Sequence, residues 1–427
     1  MEEDSKSIMN SIPGHTKALL RALLCLLALS LSLSLAPQTA SGASQAGKAD
    51  AAREANAPEG SAIEVGDWVK PKSGWLYVLD PKPDAGGSAG RIWLLDPETA
   101  KVMGSIGTDN HADFALSPDG SRLYIASDAA DGLSDFAVID TAQGTVLQRG
   151  TIENRAVTQG MQPFSAMSVS SDGLAWRILI ENAVSEDKET FLLATFDTQT
   201  GKFLPGDVHL GNCGYGRFIS HPTVDQFDFL CPRTNRVRLI RVDAESRARE
   251  NRDVVLPWER RVGVAEALVE PGGNDLAIVR GDAAIFTMDA ATQEFAATPV
   301  RPDLPARIYP AAWPTSPDGG TVYVGYTVGY DHYSDNRFYL HYGRAPNVRP
   351  DTAMAREFRV FDTGNWRKLG KIKTSMPFWS AITGNDGKIL YALAPKKHSI
   401  LVIDTVKMRQ VRTITVGGMP SLALVMP

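Results

Sequence analysis

From residue 75 onward, apolar and polar positions alternate in short runs broken by turn residues. Pairs such as Leu123 with Ile125, and Val138 with Asp140, repeat every second position, the period of a strand. No comparable stripe with a 3.6-residue period appears in this stretch, so the chain predicts strands and few helices.

One phrase recurs along these runs. An apolar strand leads to a Pro-Asp-Gly-like turn, a second strand, a third strand ending in Asp, a Thr-x-x-Gly-like turn and a fourth strand. The clearest copy runs from Phe114 through Ser117-Pro118-Asp119-Gly120 to Phe136-Ala137-Val138-Ile139-Asp140. Others contain Ser316-Pro317-Asp318-Gly319 with Asp362, and Asn385-Asp386-Gly387 with Asp404. Weaker copies surround Asp172-Gly173, His221-Pro222 and Gly272-Gly273.

The third-strand aspartates are Asp96, Asp140, Asp197, Asp243, Asp289, Asp362 and Asp404, spaced 44, 57, 46, 46, 73 and 42 residues apart. That spacing suits four-stranded blades with insertions. The first copy, at Trp75, lacks a leading strand, and Ser421-Leu422-Ala423-Leu424-Val425 is a strand left over. Pairing tail with head removes both exposed edges. The expected fold is therefore all-β: a seven-bladed β-propeller over residues 75–427, closed by its C-terminal and N-terminal strands.

Composition changes this picture little. The chain has 427 residues, 43% hydrophobic and 22% charged, in the range of folded proteins. A net charge of −5 with no block of Lys or Arg argues against nucleic acid as a partner.

The N-terminus changes more. Lys17 and Arg21 precede an uncharged run from Ala22 to Ala36, followed by small residues around Ser41-Gly42-Ala43. This reads as a signal peptide over residues 1–43, cleaved on export to the periplasm, with an uncleaved anchor as the alternative. Residues 44–74 then form a flexible arm. Cleavage removes Cys25 and leaves Cys213 and Cys231, an even pair in an oxidising compartment. A disulfide between them fits a hairpin-like stretch; two free buried thiols are the other reading.

Candidate chemistry is sparse. The seven aspartates invite comparison with a catalytic carboxylate ring, but each begins a hairpin turn, where an Asp side chain accepts backbone N–H groups. No paired-cysteine, zinc-protease or phosphate-loop motif is present. His332 and His341 share an insertion with Asp331, Tyr333 and Asp335, without metal-ligand spacing. That insertion lengthens the sixth repeat. Its aromatic residues, Tyr330, Tyr333 and Tyr339 among them, are candidates for partner contact, because tyrosine joins apolar area to a polar tip.

Three features carry a resemblance. They are Leu76-Tyr77-Val78-Leu79-Asp80-Pro81 in the first repeat, the Cys213…Cys231 pair with Pro222 between, and Ile389-Leu390-Tyr391-Ala392-Leu393 in the seventh. In these the chain resembles exported YVTN-type repeat propellers, and more specifically the heavy subunits of methylamine and aromatic amine dehydrogenases. The resemblance implies a heavy subunit with no cofactor and no catalytic residue of its own. A small Cys-rich light subunit would hold tryptophan tryptophylquinone and oxidise primary amines. Electrons would pass to a cupredoxin, and two heavy and two light chains would assemble. The alternative is a non-enzymatic exported propeller that binds a protein or small molecule. A third reading is a hydrolase or lactonase with acids at the axis.

Overall fold

The second repeat shows how the phrase folds. Ala112–Leu116, Arg122–Asp128, Ser134–Asp140 and Thr145–Ile152 pair in chain order as one antiparallel four-stranded sheet. Alternation sends Leu123, Ile125, Ala137 and Ile139 to one side of it, against Tyr77, Ile92 and Ile106 of the first sheet. Tyr124, Ala126, Phe136 and Val138 go to the other side, against Trp176, Ile178 and Phe196 of the third. Both faces are buried because sheet stacks on sheet. Trp176 lies 5.2 Å from Tyr124 and 5.6 Å from Phe196, ring centre to ring centre.

The computed structural model describes residues 63–80, 89–109, 112–128, 134–152, 156–157, 167–170, 172–182, 190–205, 208–211, 217–220, 227–230, 236–242, 249–255, 264–269, 275–280, 283–289, 292, 294–305, 308–328 and 354–427. Within them every sheet is antiparallel, and the one helical element is a short turn, Pro395–Lys397. Four-stranded sheets also form from Ile308–Ala312 through Lys368–Phe378, and from Ser380–Thr383 through Arg409–Thr415. A sheet around Ala175–Asn182 and Thr190–Asp197 is third in chain order. Two strand pairs, from Arg217–Ser220 to Arg249–Val255, come next, then a three-stranded sheet from Val264–Val269 to Ile285–Asp289. The leading strands of successive sheets lie side by side, from Ala112–Leu116 round to Leu422–Val425.

The first sheet draws on both ends of the chain. Leu76–Asp80 pairs with Leu422–Val425 on one side and with Ala89–Asp96 on the other. Beyond Lys101–Asp109 it carries a fifth strand, Glu64–Trp68, inside the stretch expected to be a flexible arm. The reason is Trp68. Its indole N–H donates to the carbonyl of Thr141 at 2.8 Å, and its ring fills space that a Cβ at Gly144 would invade at 2.3 Å. A single side chain seated between two sheets orders the strand that precedes it.

Two turns at the same end of each sheet are tied together. In the first-to-second-strand turn, the Ser117 hydroxyl donates to Asp119 at 2.6 Å, and the backbone N–H of Arg122 donates to Ser117. Ser170 with Asp172, and Ser316 with Asp318, repeat this geometry. In four of the repeats a threonine follows the third-strand aspartate and bonds back to the Gly of that turn. Thr141 donates to Gly120, Thr198 to Gly173, Thr363 to Gly319 and Thr405 to Gly387, at 2.6–2.7 Å. Thr405→Val should lower stability by about 1 kcal/mol, roughly 2–4 °C in melting temperature, by leaving the Gly387 carbonyl without its donor. Thr405→Ser, which keeps the hydroxyl, should restore most of it in the same thermal melt.

Candidate functional site

The leading strands enclose a cavity of about 880 Å³. Its described wall comes from Leu116, Val169, Ile382 and Leu424 on four leading strands, with Ser168, Ser380 and Thr383 as hydroxyl groups. Ser73, Thr315, Ser316, Asn385 and Pro427 line it at the end where the first turns lie. Among the described residues that line it, none carries a charged side chain. Such a wall can bury the apolar body of a ligand and orient it through a few hydroxyl and amide contacts.

Charged residues flank the lining in sequence. Asp318 and Asp386 sit next in sequence to the lining residues Pro317 and Asn385. The Ser316 hydroxyl and the Gly320 N–H, both donating to Asp318, hold its carboxyl below the usual carboxylate range. The backbone N–H of Lys388, followed by its ammonium, does the same for Asp386. Both stay ionised at neutral pH.

The aspartates foreseen in turns are found there. Asp96, Asp140, Asp197, Asp289, Asp362 and Asp404 each accept a backbone N–H from the following turn, at 2.7–2.9 Å in the shortest case. Asp243 lies outside the described residues, as do Cys213, Cys231, Tyr330, Tyr333, Tyr339, His332 and His341. His398 lies elsewhere, with Nδ1 2.9 Å from the carbonyl of Gly418. No group of metal-ligating side chains occurs among the described residues.

The sequence reading passed over Asp80. Only 1% exposed, it closes the second strand of the first sheet and accepts the backbone N–H of Met419 at 2.9 Å. The Trp93 indole N–H points to its other oxygen at 3.5 Å. The signal was present: an Asp ending a strand without a turn threonine after it, and a Gly417-Gly418 pair just before the tail strand.

No protein-family model matches this chain, and no curated protein does. Solved structures do. A functionally unknown protein from Desulfotomaculum acetoxidans matches with a TM-score of 0.56 at 14% identity, covering 83% of this chain and 99% of its own. A candidate 6-phosphogluconolactonase from Bacteroides uniformis matches with a TM-score of 0.54 at 14% identity, covering 82% and 99%. The fold is a β-propeller. The dihydro-heme d1 dehydrogenase NirN, at a TM-score of 0.49 and 13% identity, is covered over 66% of its length, against 82% of this chain. At these identities the likeness extends to the propeller fold and carries no activity across.

Proposed function

We propose that this chain is a seven-bladed, exported propeller that acts as a binding scaffold, holding a ligand, or the partner that processes it, at its axial opening. The observation that carries this reading is the cavity of about 880 Å³ between leading strands, lined among the described residues by apolar, hydroxyl and amide side chains. Seven blades follow if the two strand pairs from Arg217–Ser220 to Arg249–Val255 form one sheet, and the lie of Phe227–Leu230 beside Arg236–Val242 supports that. Closure through Leu76–Asp80 and Leu422–Val425 is the matching half of the proposal.

In its most specific form the scaffold is the cofactor-free heavy subunit of a periplasmic quinoprotein amine dehydrogenase. The repeat phrases and the Cys213…Cys231 pair support this form. A Cys-rich light subunit would supply tryptophan tryptophylquinone, and a cupredoxin would accept the electrons.

The test is isolation of the tagged full chain from the periplasm of its own host. The heavy-subunit form expects a small Cys-rich chain to co-purify, with a visible absorption that bleaches on adding methylamine or benzylamine. A colourless chain without such a partner leaves the general scaffold and removes the dehydrogenase. Turnover of amine by the purified chain alone would overturn both.

A further inference from the structure

The net charge of −5 conceals a strong asymmetry: residues 354–427 hold twelve Lys and Arg against four Asp and Glu. Three of those cations are matched closely, Lys368 by Asp303, Lys388 by Asp386 and Lys407 by Asp404, and Arg359 reaches Asp303 and Glu357. Arg367, Lys371, Lys373 and Arg409 have no carboxylate at ion-pair distance among the described residues, and all four are exposed.

These four belong to two adjacent outer strands or their approaches. Lys368–Phe378 and Arg409–Thr415 lie side by side: Ser375 N–H donates to Gln410 at 2.8 Å, and Met408 packs against Gly370. Alternation puts Lys371 and Lys373 on one face of their strand, opposite Ile372, which is buried against the last sheet, and Leu369 sits at a β-bulge just before them. Leu369, Val406 and Val411 are exposed by 40%, 76% and 47% along the same two strands and their turn. Lys373 stands opposite Glu357 in the ladder and Arg409 opposite Asp404 without closing an ion pair, and these cations interspersed with apolar side chains make a surface suited to a protein partner of opposite charge.

We propose that this flank, made of the outer strands of the last two sheets, docks an acidic protein surface. It is separate from the axial cavity and does not rest on the scaffold reading. A bilayer fits it less well, since the exposed large apolar residues among those described include no Trp, Tyr or Phe to anchor at a lipid interface. Lysines on an outer strand also discourage edge-to-edge pairing. Reversing their charge preserves that protection, so the two roles separate experimentally.

The experiment measures binding of fluorescently labelled poly-L-glutamate to the mature full chain by anisotropy. Wild type should bind, and about tenfold more weakly at 200 mM than at 50 mM NaCl. Arg367→Glu, Lys371→Glu, Lys373→Glu and Arg409→Glu together should weaken binding at least about tenfold with an unchanged melting temperature. If the fourfold variant does not fold, Lys371→Glu with Lys373→Glu should still weaken it about threefold. A control reversing Lys70, Lys72, Lys101 and Lys202 to Glu makes the same change in net charge and should shift affinity less than about twofold. Equal loss in both variants, or no binding by wild type, overturns the proposal. So would phosphatidylglycerol vesicles that bind wild type as tightly and lose it on the same reversal, because the flank would then be a membrane surface.

Discussion

Removing residues 421–427 should cost about 5 kcal/mol or more, a fall of roughly 10–20 °C in melting temperature or outright insolubility. The tail strand is the ladder partner of Leu76–Asp80, with Leu422 opposite Leu79 and Val425 opposite Leu76. Ser421 is fully buried, and Leu422 and Ala423 nearly so. Its loss strips the cover from Leu76 and Val78, which pack with the last sheet, Ser380–Thr383 through Arg409–Thr415, and leaves a row of strand N–H and C=O groups facing water. The tail also reaches sideways. Asn385 of the last sheet donates to the Met426 carbonyl at 2.7 Å, and Met426 packs on the Gly120 turn of the second. One strand therefore touches three sheets. A truncated protein whose thermal melt stayed within a degree or two would show that the ends do not close the ring.

The second large effect is expected from one methyl group. In Gly418→Ala the new Cβ would stand 1.3 Å from Oδ2 of Asp80 and 2.1 Å from its carboxyl carbon. A flexible surface chain would step aside. Asp80 is short and buried, and it is already committed to the Met419 N–H, so displacing it uncovers a buried charge. We expect about 2–4 kcal/mol of destabilisation in chemical denaturation. The neighbouring Gly417→Ala meets nothing within 4 Å and should stay within about 0.5 kcal/mol of wild type. Equal stability of the two variants would show that the Asp80 contact does not hold the last sheet to the first.

Much of this architecture was legible in the chain. The turn chemistry is local: an Asp or Ser side chain finds its partner two to five residues away, so Ser117-Pro118-Asp119-Gly120 and Asp140-Thr141 name their own geometry. Period-two alternation marked the strands. Alternation alone does not say that both faces are buried, and Trp176 packing on Tyr124 shows what the second face meets.

What the fold alone decided lies at long range. Asp80 meets Met419 across 339 residues, and Arg412 reaches the carbonyls of Pro97 and Glu98 across more than 300. No pattern local to either partner encodes such a contact, because it depends on where the last sheet meets the first. Trp68 followed the same logic: its flanking sequence looks like a linker, and only the space at Gly104 and Gly144 makes it a strand anchor. The cavity wall was equally hidden, since serine, threonine and leucine on a leading strand look the same whether they face a neighbour or an axis. The sequence by itself determined the strands and their turns. The tertiary structure decided which edges pair, which carboxylates are buried and where charge gathers, because those depend on elements that come together only when the sheets stack side by side.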